Sequence, residues 1–528
     1  MEQVLIAGEW RNPTNAAGSF RAVNPATGET IGPAFPRCGT QDIEAAVAAA
    51  AEAAPALAAT APARIADFLE RYAVGLEAAR DELVAVAHAE TGLPASPRLA
   101  DVELPRTTGQ LRQAAKAVRD YAWTHPVIDT AAGLRAHYAP LQKPVVVFGP
   151  NNFPFAFNAV AGSDFASAVA ARNPVIAKAH PSHPETSRRL AQVAHRAAVE
   201  AGLPTATVQM LYDFEPALGL RLAGDRRLGG IGFTGSRGAG LALKAAADAA
   251  GIPIYAEMSS VNPVFLLPGA LRERGEAIAR EFFASCTMGS GQFCTNPGIV
   301  MAPKGAAGDA FANAAAQLFD AAAPMVLFSQ GVQQSLSAAV DGLRAAGAQL
   351  LAGRAEAAGP GSRYAPGLLA VDASVFLGNA EALQQEAFGP VSLLVRYADA
   401  DEAVAVARAF DGNLTGSLHI AADGSDDDAC ARIAAVLRSR VGRLIQDKWP
   451  TGVSVSPAMQ HGGPYPSTGH AGFTSVGMPA AIHRFAALHS YDNIRDDRLP
   501  TELRDANPAG IPRLVDGVWS DRAIVRPG

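Results

Sequence analysis

The chain has 528 residues, 49% hydrophobic and 18% charged, the balance of a folded protein of several domains rather than a disordered one. Its 44 Lys and Arg against 50 Asp and Glu leave a net charge of −6. A weakly acidic chain without a basic run is not built for a nucleic-acid backbone or for the anionic face of a membrane.

The opening MEQVLIAGEWRNPT carries Glu2 and Glu9 and no long apolar core, so no secretory leader is expected. The alanine-rich run from Ala45 to Ala63 is interrupted by Glu52 and Pro55 and reads as an amphipathic surface helix, not a membrane span. Cys38, Cys286, Cys294 and Cys430 are too few and too scattered for a disulfide framework, and no pair has zinc-site spacing. The expected compartment is the reducing cytoplasm, and no metal is expected.

In chain order, the strand-like pieces LIAGEW and SFRAVNPATGE come first, between Asn-Pro and Thr-Gly turn signals. Helices are expected over roughly 40–60, 63–91 and 99–122. From 144 the texture changes. Short apolar strands over 145–149, 174–178, 207–211, 229–233 and 253–257 alternate with helices over 159–172, 184–201, 215–224 and 236–250. Such alternation predicts a parallel sheet with right-handed crossovers, and a ligand crevice beyond the carboxyl ends of its strands. A second alternating block covers 262–445, with a helix over 270–286 and strands over 391–396 and 414–420. The tail from 447, rich in Gly, Pro and His, reads as loops lining a site, then a terminal segment that packs on something, a second subunit among the candidates.

The residues able to carry chemistry collect at those strand ends. Cys294 sits in Gly289-Ser290-Gly291-Gln292-Phe293-Cys294-Thr295-Asn296-Pro297, either a nucleophilic thiolate in an accessible loop or a buried structural thiol. Asn152, after the first sheet strand, can donate to a developing oxyanion or simply serve a turn. Thr234-Gly235-Ser236 joins a strand to a helix; it can hold a phosphate at the helix N-terminus, or Ser236 can merely cap the helix. Glu257, closing the fifth strand, is a general base or half of a buried ion pair. Glu386, in Gln385-Glu386-Ala387-Phe388-Gly389-Pro390, is a similar carboxylate before a turn, half of an ion pair or a holder of a ribose.

The ordered set of Asn-Phe-Pro, Lys178 at a strand end, Phe-Thr-Gly-Ser, a strand-end Glu, Gly-Gln-x-Cys and Glu-x-Phe-Gly-Pro resembles the aldehyde dehydrogenase superfamily over almost the whole chain. Within it, the segments Phe148 to Pro154, Lys178 to Pro181, Arg106 to Arg112, Pro450 to Val453 and His461 to Pro466 are most similar to the branch of 2-oxoglutarate semialdehyde (2,5-dioxovalerate) dehydrogenases. The resemblance implies an α/β fold: a Rossmann-like cofactor domain (1–122 and 142–257), an α/β catalytic domain (258–446), and a small oligomerisation element with a site-lining C-terminal segment (123–141 and 447–528). It implies Cys294 as nucleophile, with the Asn152 amide and the Cys294 backbone N–H holding the oxyanion, and Glu257 as the base that activates water. Lys178, His180, Ser182, Thr234, Gly235, Ser236, Gly240, Glu386 and Phe388 would contact NADP or NAD. Arg106 and Gln110 would meet the substrate's carboxylate, with Phe155, Phe157 and Phe293 as the apolar wall and Lys448 as a second anchor.

Two departures from the family pattern bear on specificity. The stretch Lys178-Ala179-His180-Pro181 lacks the carboxylate that would repel a 2′-phosphate, which favours NADP. The loop Asp447-Lys448-Trp449-Pro450 differs at the substrate mouth. The expected activity is oxidation of an aldehyde to an acid through a cysteine thioester, with 2-oxoglutarate semialdehyde first among substrates, in a homodimer or homotetramer. An NADP-dependent dehydrogenase of fatty or aromatic aldehydes is the alternative; an inactive dinucleotide-binding or structural homologue is a remoter one, which the intact Cys294, Asn152 and Glu257 argue against.

Overall fold

The β-branched runs between turn signals become the inner strands of two large sheets in the computed structural model, which describes residues 1–525. In the first sheet the strands lie in the order Ile254–Glu257, Gly230–Thr234, Val145–Phe148, Val175–Lys178, Val208–Leu211, and then the hairpin Val4–Ile6 and Glu9–Arg11. The first five are parallel, and the hairpin adds antiparallel at the edge. Every residue of Val145–Phe148 is buried, as a strand covered on both faces requires. The chain leaves this strand toward Val175–Lys178 and returns on its other side at Gly230–Thr234, so a topological switch point lies between the two. Register sets the carboxyl ends level: Phe148 pairs with both Lys178 and Phe233, and Thr234 pairs with Glu257.

The second sheet runs Met325–Val326, Arg363–Asp372, Val391–Tyr397, Ile299–Pro303, Val264–Leu266, Asn413–His419, Val441–Gln446, with Gln349–Ala357 antiparallel to Arg363–Asp372. Its strands alternate between two cores. Phe265, Ile299 and Met301 pack on one face, Val264, Leu266, Val300 and Ala302 on the other.

The helices depart from the sequence pattern in three places. The expected helix over 63–91 is two, Pro62–Ala78 and Arg80–Thr91, with Ala79 outside helical geometry between them. The expected helix over 159–172 is only Ser163–Ala170. Residues before it turn back on themselves: a Cβ on Gly162 would lie 2.5 Å from Phe157 Cα, and the Asn158 amide ties Pro154 O to Ser187 Oγ at 3.0 Å each. The third stretch, expected over 99–122, is a π-helical segment Ala95–Glu103 followed by the helix Leu104–Arg119. The alanine-rich run forms the helix Thr40–Ala58, which buries one face, and among the described residues no helix is long and apolar enough to cross a membrane.

The tail holds more regular structure than its composition suggests. Ala486–Asp492 pairs along its whole length with Leu134–Pro140. Val127–Asp129, Arg513–Val515 and Val518–Ser520 extend these two into a third, five-stranded sheet.

Candidate active site

The loop carrying Cys294 follows the helix Pro268–Thr287. Gly289, Ser290 and Gly291 take φ of 55°, 60° and 70°, three left-handed residues in succession. Glycine is required at 291, where a Cβ would lie 2.1 Å from Gly389 O, so the nucleophile loop and the Glu386 loop touch backbone to backbone. The Asn262 amide donates to Cys294 O at 2.9 Å and to Asn296 O at 2.8 Å, and Gln292 Oε1 accepts from Phe328 N at 2.9 Å. A strained loop is thereby held in one conformation.

Cys294 Sγ lies 3.4 Å from His461 Nε2, and His461 Nε2 lies 3.0 Å from Glu257 Oε1. Ser475 Oγ donates to the other carboxylate oxygen at 3.0 Å. Glu257 and His461 are each 2% exposed. His461 arrives from the tail, packed in by Gly462 and Gly463, whose Cβ positions would fall 2.5 Å from Phe473 O and 2.3 Å from Asn413 O. The tail also extends the first sheet at its edge: Met258 N donates to Ser467 O at 2.7 Å and Gly469 N to Ala256 O at 3.0 Å. Burial drives the Glu257 carboxyl up, but His461, Ser475 and Cys294 outweigh it and leave the group below its ordinary value. Burial and the Glu257 charge together push the Cys294 thiol well above its own. The Asn152 amide, 5% exposed, donates to Gln292 O at 3.0 Å, leaving its second N–H for a ligand.

A cavity of about 600 Å³ runs along the carboxyl ends of the first sheet. His180 and Ser182 line it, then Thr234, Gly235 and Ser236, and then Asn152, Glu257 and Cys294. Glu386 and Phe388 form its opposite wall. The site suits a dinucleotide. Ser236 makes no capping bond to the helix Arg237–Ala250, so first-turn N–H groups are left for a phosphate. Burial raises the Glu386 carboxyl against bonds from Ser259 and Ser260, a group in place for ribose hydroxyls. Two expected contact residues have partners within the protein. Lys178 pairs with Asp213 at 3.2 Å. Gly240 is needed for packing, since its Cβ would meet Met258 at 2.8 Å.

A second cavity, about 1220 Å³, opens on the other side of the nucleophile loop, with Phe153, Phe293, Arg98, Arg106, Val453 and Lys448 on its walls. Arg106 stands over Phe157 and Phe153, 5.1 and 5.5 Å from the ring centres. Its Nε donates to Gln110 Oε1 at 3.2 Å, and Gln110 is fixed by Ala156 O at 3.0 Å, so Gln110 holds the arginine and is not itself open to a ligand. Arg106 Nη2 is buried and has no hydrogen-bond partner. Phe155, expected on the tunnel wall, is fully buried in the core of the first sheet, where its N–H donates to Glu103. Phe153 lines the cavity in its place, because the turn around 153–158 points alternate rings to opposite sides. In the divergent loop Asp447 pairs with Arg274 and Trp449 stacks on Phe282 at 5.2 Å, which leaves Lys448 facing the cavity.

Sequence reasoning missed His461, Ser475, Arg98 and Phe153 as site residues. The signal for His461 was the His-Gly-Gly-Pro run, whose paired glycines announce a close backbone approach.

The Aldehyde dehydrogenase family profile matches residues 10–487. Alpha-ketoglutaric semialdehyde dehydrogenase 2 of Azospirillum brasilense is 42% identical over 98% of both chains. The alpha-ketoglutaric semialdehyde dehydrogenase of Acinetobacter baylyi is 36% identical over 95% of this chain and 96% of its own. Among solved structures, aldehyde dehydrogenase C of Pseudomonas syringae, in complex with NAD+ and octanal, superposes with a TM-score of 0.78 at 21% identity, covering 94% of this chain and 97% of its own. Escherichia coli lactaldehyde dehydrogenase gives 0.79 at 22%, over 93% and 98%. These two show the shared fold. The chain belongs to the aldehyde dehydrogenase family and is an NAD(P)-dependent aldehyde oxidoreductase.

Proposed function

We propose that the chain oxidises 2-oxoglutarate semialdehyde to 2-oxoglutarate, with Cys294 as nucleophile. The observation that carries this reading is the unpartnered, buried Nη2 of Arg106 in the cavity beside Cys294. A buried guanidinium without its full set of acceptors is costly, and a substrate carboxylate meets that need where an alkyl aldehyde would not. The names of the two curated relatives support the same substrate.

Cys294 gives up its proton to the His461–Glu257 pair and attacks the aldehyde carbon, and the Asn152 amide and Cys294 N–H hold the oxyanion of the thiohemiacetal. The nicotinamide dinucleotide, when bound, accepts the hydride. Thr234 to Ser236 and the first helical turn would hold its pyrophosphate, and Glu386 its nicotinamide ribose. Cys294 is left as a thioester, and Glu257, set by Ser475 and His461, takes a proton from the water that hydrolyses it. His180 and Ser182 face the adenosine end. Burial, with the charges of His183 and Lys178, pushes His180 well below its ordinary value, and its Nδ1 accepts from Ser182 N at 3.1 Å. A neutral ring in that tautomer offers Nε2–H to a 2′-phosphate, so NADP is the preferred cofactor.

The test is a panel of aldehydes with each cofactor, read as kcat/KM, in the unaltered protein and in Arg106→Ala. The variant should raise KM for the acidic semialdehyde by about 2 kcal/mol, the worth of a charge-assisted hydrogen bond, and leave an uncharged aldehyde of equal length nearly unaffected. Equal losses, or a native preference for long alkyl or aromatic aldehydes, would overturn the substrate assignment.

A further inference from the structure

The sequence shows no metal motif, yet the fold brings a thiol, an imidazole and a carboxylate to one point. The ligating atoms of Cys294, His461 and Glu257 all lie within 4.8 Å of one another. We propose that these three residues form a binding site for one soft divalent cation of the Zn²⁺ class, which shuts the enzyme by occupying its nucleophile.

Four observations carry this. The first is spacing. Zinc bonds of roughly 2.3 Å to sulfur and 2.0–2.1 Å to nitrogen or oxygen place tetrahedral ligands about 3.3–3.6 Å apart. The Sγ–Nε2 distance is 3.4 Å and the Nε2–Oε1 distance is 3.0 Å, so these two edges need adjustments of only a few tenths of an ångström, and the third lies within 4.8 Å. The second is an open valence. Glu257 Oε1, in a side chain 2% exposed, faces His461 Nε2 at 3.0 Å without the alignment of a good hydrogen bond, so a cation between them displaces little. The third is charge. Thiolate, carboxylate and neutral imidazole sum to −2, so the ion makes the buried cluster neutral instead of leaving an uncompensated charge. The fourth is access. Cys294 and Glu257 line the cavity along the first sheet, which leaves the fourth tetrahedral position for water, the pattern of three protein ligands and one open site.

On binding, the Cys294 S–H bond breaks, its proton leaves to solvent, and a sulfur–metal bond forms without any change of oxidation state. The thiolate is then unavailable to an aldehyde, and the carboxylate is unavailable to water. Sulfur and nitrogen donors select Zn²⁺, Co²⁺ or Cd²⁺ over Mg²⁺ and Ca²⁺.

The test uses the whole apoenzyme, dialysed free of thiol reductants, against buffered Zn²⁺ and, separately, Co²⁺. One ion per chain is expected, with a thiolate-to-cobalt charge-transfer band in the near ultraviolet. Cys294→Ala should lose both, His461→Gln should weaken binding by about tenfold or more, and Cys430→Ala should keep both. In the unaltered enzyme Zn²⁺ should suppress turnover in competition with aldehyde, EDTA should restore it, and Mg²⁺ should do nothing. No stoichiometric binding, or binding that survives both Cys294→Ala and His461→Gln, would overturn the proposal. The binding arms need no substrate, so they stand or fall apart from the identity of the aldehyde.

Discussion

Cys294, the proposed nucleophile, is placed where its own ionisation is opposed. Burial and the Glu257 carboxylate hold the thiol well above its ordinary value. The rate of iodoacetamide alkylation of the apoenzyme should therefore keep rising with pH past the usual thiol midpoint of about 8.5, because the reactive thiolate appears only above the raised value. Glu257→Gln removes the like charge and should move that profile to lower pH; a profile that levels off below the usual midpoint in the unaltered protein would contradict this account. Cys294→Ala should abolish aldehyde oxidation and leave the circular dichroism spectrum unchanged. In turnover, Glu257→Gln should give a burst of about one NAD(P)H per site and then a slow steady state, since acylation proceeds and hydrolysis lacks its base. An undiminished steady rate would make Glu257 structural only.

At the level of elements, the proposed preference for NADP rests on the strand Val175–Lys178 and the turn after it. The neutral His180 ring and Ser182 line the dinucleotide cavity with no carboxylate beside them on that turn. His180→Glu should shift the kcat/KM ratio from NADP⁺ toward NAD⁺ by like-charge repulsion of the 2′-phosphate; an unchanged ratio would place the discriminating group elsewhere. The parallel block was legible in the sequence because buried strands read as short apolar runs and their crossovers as helices of ten or more residues. Asn152, Thr234 and Glu257 were legible for the same reason, being the residues just past those runs. What escaped depends on contacts far along the chain. His461 is 167 residues from Cys294 and reaches it only because two glycines let the tail press on Phe473 and Asn413. Lys178 reads as a ligand contact, and its pairing with Asp213, just past the next strand, is not legible from its own segment. Phe155 and Phe153 have the same composition cue, and the backbone turn alone decides which one meets the cavity.

At the scale of the whole molecule, the third sheet has a terminal strand that invites company. Leu488, on the edge strand Ala486–Asp492, is 63% exposed, and Trp519, on the opposite edge strand, is 65% exposed. Open edges bearing large apolar side chains favour pairing with another chain, and if the expected homo-oligomer forms, this sheet is where it is predicted to be built. Leu488→Lys should lower the mass measured by light scattering after gel filtration while sparing the first sheet's fold; an unchanged mass would direct the interface elsewhere. The tail that feeds this sheet also supplies His461 and Ser475 and zips onto the sheet edge at Met258. A local opening of this segment would carry His461 and Ser475 out of the site while the rest of the fold stays intact. In native-state hydrogen exchange, the amides of Met258 and Gly469 should open together and with the same free energy. The population in which they are open should be dead enzyme that is otherwise folded, so mild denaturant should remove activity before it removes secondary structure.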